Sequence, residues 1–343
     1  MFRHQPLDDA KREIRLVKSL PRPTSTEPGE AIFAIEKFEV TSSPPYYALS
    51  YCWGPPTPAY SIAIDADGAR MEIRDNLYQC LQVLQSHAAY SGVYFWIDQI
   101  CIDQDNTPER NAQVQQMGSI YSKAQEVITW LGQGEEDAYQ AMEAIGSGNA
   151  FNVTPEETKR HTRKLLTNPY WGRLWVAQEI LLAKQITLLC GSRQLSWALW
   201  SGFWPPLIHE VHVPYLFALG ELFYGGASND DFKASSAAQT FIRLRSNPNI
   251  LHLLPLWNHL ASFSTSKCQE PRDKVFGLHG FVGDKGQIEV DYAKPVVEIY
   301  VDAINVSLDT TPRISLSGGV DSGFYAEMLY LGLAMGVLTT GEH

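Results

Sequence analysis

The chain has little of what marks several protein classes. Its 343 residues hold five cysteines, an odd set with no CxxC pair. Neither a zinc spacing nor a disulfide framework is suggested, and free thiols in a reducing compartment are expected. No stretch approaches the roughly 18 apolar residues of a membrane helix. The N-terminal MFRHQPLDDAKREIRLVKSL lacks the continuous apolar core of a signal peptide. A cytoplasmic protein without membrane attachment is the expectation. Lys/Arg runs are missing too, and the formal charge of -11 repels a phosphate backbone. A nucleic-acid role therefore has little to rest on, although a few local donors could still hold a small anion. There is no GxSxG and no Walker loop.

Three patterns come close to a ligand motif and fail. Gly132-Gln133-Gly134 sits between a strand and a helix as a dinucleotide loop would, but Asp137 takes the third glycine position and Glu135 and Glu136 would repel pyrophosphate. Asp103, Asp105 and Thr107 resemble the start of a calcium loop, yet Pro108 and Val114 stand where glycine and glutamate are required. His209 and His212 have no third ligand at a recognisable spacing. No metal site is expected.

What the chain does have is apolar and aromatic mass, with 45% hydrophobic residues, 9 Trp, 16 Tyr and 14 Phe. That is ample for a packed core and rejects wholesale disorder. Strand and helix alternate through the first two-thirds. Early strands are expected at 14–16, 31–38 and 47–51, then a hairpin at 61–64 and 69–73 turning at 65–68. A helix at 76–85 capped by Asp75 or Asn76 follows. Tyr94 to Ile97 reads as a strand and 98–106 as a polar loop. Thr107 is the expected N-cap and Pro108 the first residue of the next helix. In that helix Val114, Met117, Ile120, Tyr121 and Ala124 form an apolar face, opposite Arg110, Gln113, Gln116 and Lys123. A buried strand at 127–131, a mostly helical insertion, a helix at about 170–183 and a strand at 185–190 complete the core.

Four sheet elements joined by helical crossovers predict an α/β fold with a mainly parallel sheet flanked by helices. The core is assigned to residues 1–194 and a mostly helical C-terminal part to 195–343, packed on the core rather than clearly a separate domain. The loop GGASNDD at 225–231 belongs to that part, and Pro271 and Pro295 each fit the first turn of a helix.

Three blocks carry a family resemblance: YYALSYCWG at 46–54, WIDQICIDQDNTPER at 96–110 and NPYWGRLWVAQE at 168–179. Together they resemble the heterokaryon-incompatibility (HET) domain of filamentous fungi. EIRLVKSL, NLYQCLQVLQ, EVITWLG, PRDKVFGLHG and VDYAKPVVEIY match outside the blocks. The resemblance implies non-self recognition and programmed cell death, with self-association or a separate receptor or allelic partner. A more distant resemblance is to TIR domains, carried by the order of these elements and by Trp175-x-x-x-Glu179. It implies a TIR-like or flavodoxin-like core, and cleavage of NAD between ribose and nicotinamide supported by Glu179.

Residue chemistry gives that idea a mechanism and a rival. Nicotinamide leaves a positively charged pyridinium as a neutral molecule, so one ionised carboxylate opposing the oxocarbenium could suffice. Trp175 would then stack a ring or exclude water, and Arg173 or Arg110 would meet the pyrophosphate. NAD would be substrate, with no permanently bound cofactor. The rival reading makes Trp171 and Trp175 core residues and pairs Glu179 with an arginine such as Arg110, leaving a non-catalytic interaction module. Ser50, Trp53 and Gly54 follow a strand where parallel sheets present ligand loops, and Asp98 ends the next strand. A tight turn after Trp53 and a capping role for Asp98 are the structural alternatives.

Overall fold

The computed structural model describes residues 2–20, 32–64, 68–148, 155–203, 229–246, 254–281, 288–310 and 322–338. Expectations for Ala31, for the turn residues 65–67, for His209 and His212, and for 225–228 lie outside them. The chain falls into two compact units, Met1–Lys164 with Ala183–Phe203 and Leu165–Leu182 with Trp204–His343. Residues 165–182, which carry the third block, thus belong with the C-terminal residues.

The first unit is built on a nine-stranded sheet. Its strands are β1 (Glu13–Ser19), β2 (Ile32–Glu39), β3 (Tyr46–Tyr51), β4 (Tyr60–Ile64), β5 (Ala69–Ile73), β6 (Tyr94–Trp96), β7 (Glu126–Trp130), β8 (Ile186–Cys190) and β9 (Arg193–Ser196), in the order β5-β4-β2-β1-β6-β3-β7-β8-β9. The expectation of a mainly parallel sheet is corrected here, because four of the eight neighbour pairings are antiparallel. Parallel pairing unites the central β6-β3-β7-β8. The difference has a physical cause. β4 and β5 are only four residues apart in sequence and β8 and β9 only two, and so short a return of the chain gives antiparallel neighbours.

The helices of this unit follow from their apolar faces. In α1 (Asp75–Ser86) Leu77, Cys80, Leu81 and Leu84 are buried. Arg74 is its N-cap, in place of the expected Asp75 or Asn76, and makes no side-chain capping bond. The polar loop after β6 contains a single helical turn, α2 (Asp98–Cys101). α3 (Thr107–Lys123) is capped one residue earlier than expected, by Asn106, whose side chain accepts the Glu109 N–H at 3.3 Å. Its apolar face is buried as read, but so are Gln113 and Gln116, which both donate to the Glu13 carbonyl at the end of β1. Burial here needs partners, and that carbonyl provides one. α4 (Glu136–Gly146) and α5 (Pro155–Leu166) make up the helical insertion, and α7 (Trp197–Phe203) follows β9.

One buried ion pair ties β1 to α3. Arg15, 1% exposed, meets both oxygens of Glu109 at 2.6 and 2.9 Å and also donates to the Cys101 carbonyl at 2.9 Å. The Asp103 N–H adds a bond to Glu109 at 2.8 Å. Such saturation is what a charge pair needs to survive away from water.

The second unit is helical where it is described. A 3₁₀ turn Pro169–Gly172 leads through an isolated parallel bridge, Arg173 to Lys267, into α6 (Val176–Leu181). The helix Asn229–Arg245 packs on that turn, with Trp171 beside Phe241 and Phe241 stacked on Phe263. The helices Leu256–Ser262, Val296–Thr310 and Ser322–Ala334 pack against one another. Pro271 and Pro295 precede their helices, Asp273–Phe276 and Val296–Thr310, rather than opening them. At Gly277 a Cβ would lie 2.9 Å from the Asp273 carbonyl and 3.1 Å from the Leu174 side chain, so the close approach requires glycine. Among the described residues no helix is long and apolar enough to cross a membrane, and no group of three or more His, Cys, Asp or Glu is placed to hold a metal.

Candidate functional site

In the first unit the parallel strands β6, β3 and β7 end at one edge of the sheet, where loops of α/β proteins receive their ligands. Directly beyond β3, Trp53 turns its indole N–H to Asp98 Oδ2 at 2.6 Å, joining the first block to the second. Asp98 Oδ1 accepts the Gln99 N–H at 2.7 Å, and the Asp98 carbonyl accepts from Gln104 at 3.1 Å. Gly54 has φ +73°, a left-handed conformation that favours glycine. Asn76, in the first turn of α1, donates to the Cys52 carbonyl at 2.6 Å and accepts the Trp130 indole N–H at 2.8 Å. The loop 52–54 is therefore pinned from β7 through α1.

Sequence reading missed Arg74. Its guanidinium carbon lies 4.6 Å from the centre of the Trp53 ring, and Nη1 donates to the Gly54 carbonyl at 3.2 Å. The backbone N–H of Arg74 reaches Gln99 Oε1 at 3.5 Å. Nothing in a hairpin strand followed by a helix singles this arginine out, because the contact depends on how β5 delivers it to the end of β3. Of the other expected residues, Ser50 is buried inside β3 opposite Thr129. Arg110 is half-buried in the first turn of α3.

In the second unit, Arg173, Trp175 and Glu179 follow one another along the third block, but the continuous helix expected at 170–183 is not formed. Trp171 lies in the 3₁₀ turn, fully buried, with its indole N–H on the Leu165 carbonyl at 2.7 Å. Arg173 is in the extended bridge, and Trp175 is the N-cap of α6. The stripe of Trp171, Trp175 and Glu179 is thus reduced to its last two members, which stay one turn apart through the Glu179 N–H and Trp175 carbonyl at 3.4 Å. The break has a local cause: Gly172 weakens helix, and the 172–174 backbone bonds to Lys267 instead. Glu179 is 3% exposed, and every residue of α6 is buried.

Trp175 also meets a carboxylate that sequence reading quoted but did not single out. Asp273, in PRDKVFGLHG, accepts from Trp175 Nε1 at 3.3 Å and from the Tyr292 hydroxyl at 2.6 Å. Burial drives its pKa up to about 6, with the two donors opposing the rise. Its neighbour Lys274 is buried too, which lowers its pKa, and Nζ donates to the Ser264 and Ser266 carbonyls at 2.7 and 2.5 Å. Its described hydrogen-bond donors are neutral and no cation is among them, so burial outweighs them and the pKa of Asp273 stays raised. Arg272 beside it is engaged elsewhere, with Glu270 and the Lys294 carbonyl.

The comparisons with known proteins include a match over the segment that holds all three blocks. The family model described as Heterokaryon incompatibility protein (HET) matches residues 46–179, from the start of β3 to Glu179. Heterokaryon incompatibility protein 6, OR allele, of Neurospora crassa is 32% identical over 148 residues, which are 40% of this chain and 22% of that protein. The chain therefore spans less than a quarter of the relative's length. No solved structure matches. Residues 46–179 of this chain are thus a heterokaryon-incompatibility (HET) domain.

Proposed function

We propose that this chain acts in heterokaryon incompatibility, as an effector of fungal non-self recognition that ends in programmed cell death, and that it works as an associating signalling module in which Glu179 is structural. The observation that carries this reading is the burial of Glu179 at 3% exposure within a helix buried along its whole length. A carboxylate that must oppose charge on a ribose has to be reached by that ribose. Exposed apolar side chains supply a surface for association: Val297, Val301 and Leu308 on one helix, Tyr325, Leu329 and Tyr330 on another.

A second reading, NAD cleavage by a TIR-like core through Glu179, draws support from the Trp175–Glu179 pair, which keeps its one-turn spacing with Trp175 partly exposed. Assay of nicotinamide release by purified protein, beside Glu179→Gln and Glu179→Ala, separates the two. The module reading expects no release from any of the three, and unchanged toxicity of folded variants in cells. Release by wild type that Glu179→Gln abolishes, with the fold intact by circular dichroism, would hand the function to the second reading.

A further inference from the structure

We propose that the exposed turn after β3 is a binding site for a nucleoside phosphate, with the face of Trp53 as the stacking platform and Arg74 as the phosphate ligand. The geometry supplies each part. Trp53 is held by its edge through the 2.6 Å bond to Asp98, which restrains the indole plane. One face of the ring carries the planar guanidinium of Arg74 at 4.6 Å. A flat, delocalised cation on an indole marks a surface that also accepts a flat heterocycle, since both are attracted to the ring face.

Arg74 has donors to spare. A guanidinium carries five N–H groups, and among the described residues the Arg74 side chain spends one, on the Gly54 carbonyl at 3.2 Å. Swinging off the ring would cost that bond and the contact with the indole, which the stacked base replaces, and would bring a fork of donors to a phosphate beside the base. Gly54 leaves the approach open: a Cβ there would meet nothing nearer than the Asn76 Cβ at 3.8 Å. The rest of the turn is fixed in advance, because Asn76 holds the Cys52 carbonyl and is itself held by Trp130. Asp98 faces the indole edge and the Gln99 N–H, so its charge is partly offset where a phosphate would come. The acidic balance of the chain, -11, disfavours a nucleic-acid strand and leaves a mono- or dinucleotide as the ligand class.

Binding rather than turnover is at issue, so the outcome for Glu179 does not bear on this site. Isothermal titration calorimetry of the whole chain with ADP, adenosine and inorganic pyrophosphate tests it. ADP should bind saturably, and each half alone about tenfold more weakly or worse. Arg74→Ala should bring ADP down to the level of adenosine without weakening adenosine, because the variant uncovers the Trp53 face. Trp53→Phe, which keeps a ring but loses the edge anchor, should weaken ADP and adenosine together, with melting curves used to check the fold. Three results would overturn the site: no saturable binding of ADP, ADP binding indifferent to Arg74→Ala, or pyrophosphate binding as tightly as ADP.

Discussion

Glu109 in the first unit and Asp273 in the second are both carboxyls removed from water, and they respond in opposite directions. Burial pushes each pKa up. At Glu109 the Arg15 guanidinium and the Asp103 N–H more than offset that push, and its pKa is held below the ordinary value. At Asp273 the partners are a phenol and an indole, neutral donors that offset burial only in part, and its pKa rises to about 6. The charge of the partner acts together with the depth of burial to set the sign. The first arrangement is therefore a fixed ion pair between strand and helix, and the second a titratable joint that links Trp175, Asp273 and Tyr292.

The comparison breaks most forcefully at Arg15. Arg15→Ala should leave Glu109 buried without its cation and cost about 3 to 5 kcal/mol in urea unfolding. The double variant Arg15→Met with Glu109→Leu should recover most of it, and a loss as large as the single variant's would mean that packing rather than charge decides. The next effect is a pH dependence of opposite sign at Asp273. Its folded pKa lies above the unfolded value of 3.8, so its stabilising contribution is full below pH 3.8 and is lost as pH rises through about 6. The change amounts to roughly 3 kcal/mol. Asp273→Asn should flatten that part of the stability curve, whereas Glu109→Gln should remove a contribution present above pH 4.5 and lost in acid. A curve that Asp273→Asn leaves unaltered would refute the titrating joint. Smallest of the three, Tyr292→Phe deletes the 2.6 Å donor. It should cost about 1 to 3 kcal/mol at neutral pH, where the carboxylate is charged, and less at pH 4.

Local chemistry made much of this legible beforehand. The hairpin strand at 69–73 and the buried face of α3 could be read from alternation and from three- and four-residue steps, because those patterns are set by backbone geometry alone. Boundaries were less legible: Asn106 and Thr107 are both competent caps, and the choice of Asn106 is made by the bond it finds at Glu109. Gln113 and Gln116 looked solvated because nothing nearby in sequence shows that the Glu13 carbonyl would meet them. Trp171, Trp175 and Glu179 looked like one helical stripe because spacing cannot reveal that Lys267 captures the backbone between them. Asp98 was read at the strand tips, but its tie to Trp53 needed β3 and β6 to lie side by side.

By itself the sequence determined the strands and helices whose periodicity is clear, such as β5 and α3, that the chain packs a core, and that its three blocks are those of a HET domain, since periodicity and joint spacing are properties of the chain. Tertiary structure alone decided the directions of the outer strands, the burial of Glu179, the stacking of Arg74 on Trp53 and the opposite titration of Glu109 and Asp273. Each of these depends on partners tens of residues away, and the sign of an electrostatic effect belongs to the pair that meets rather than to either residue.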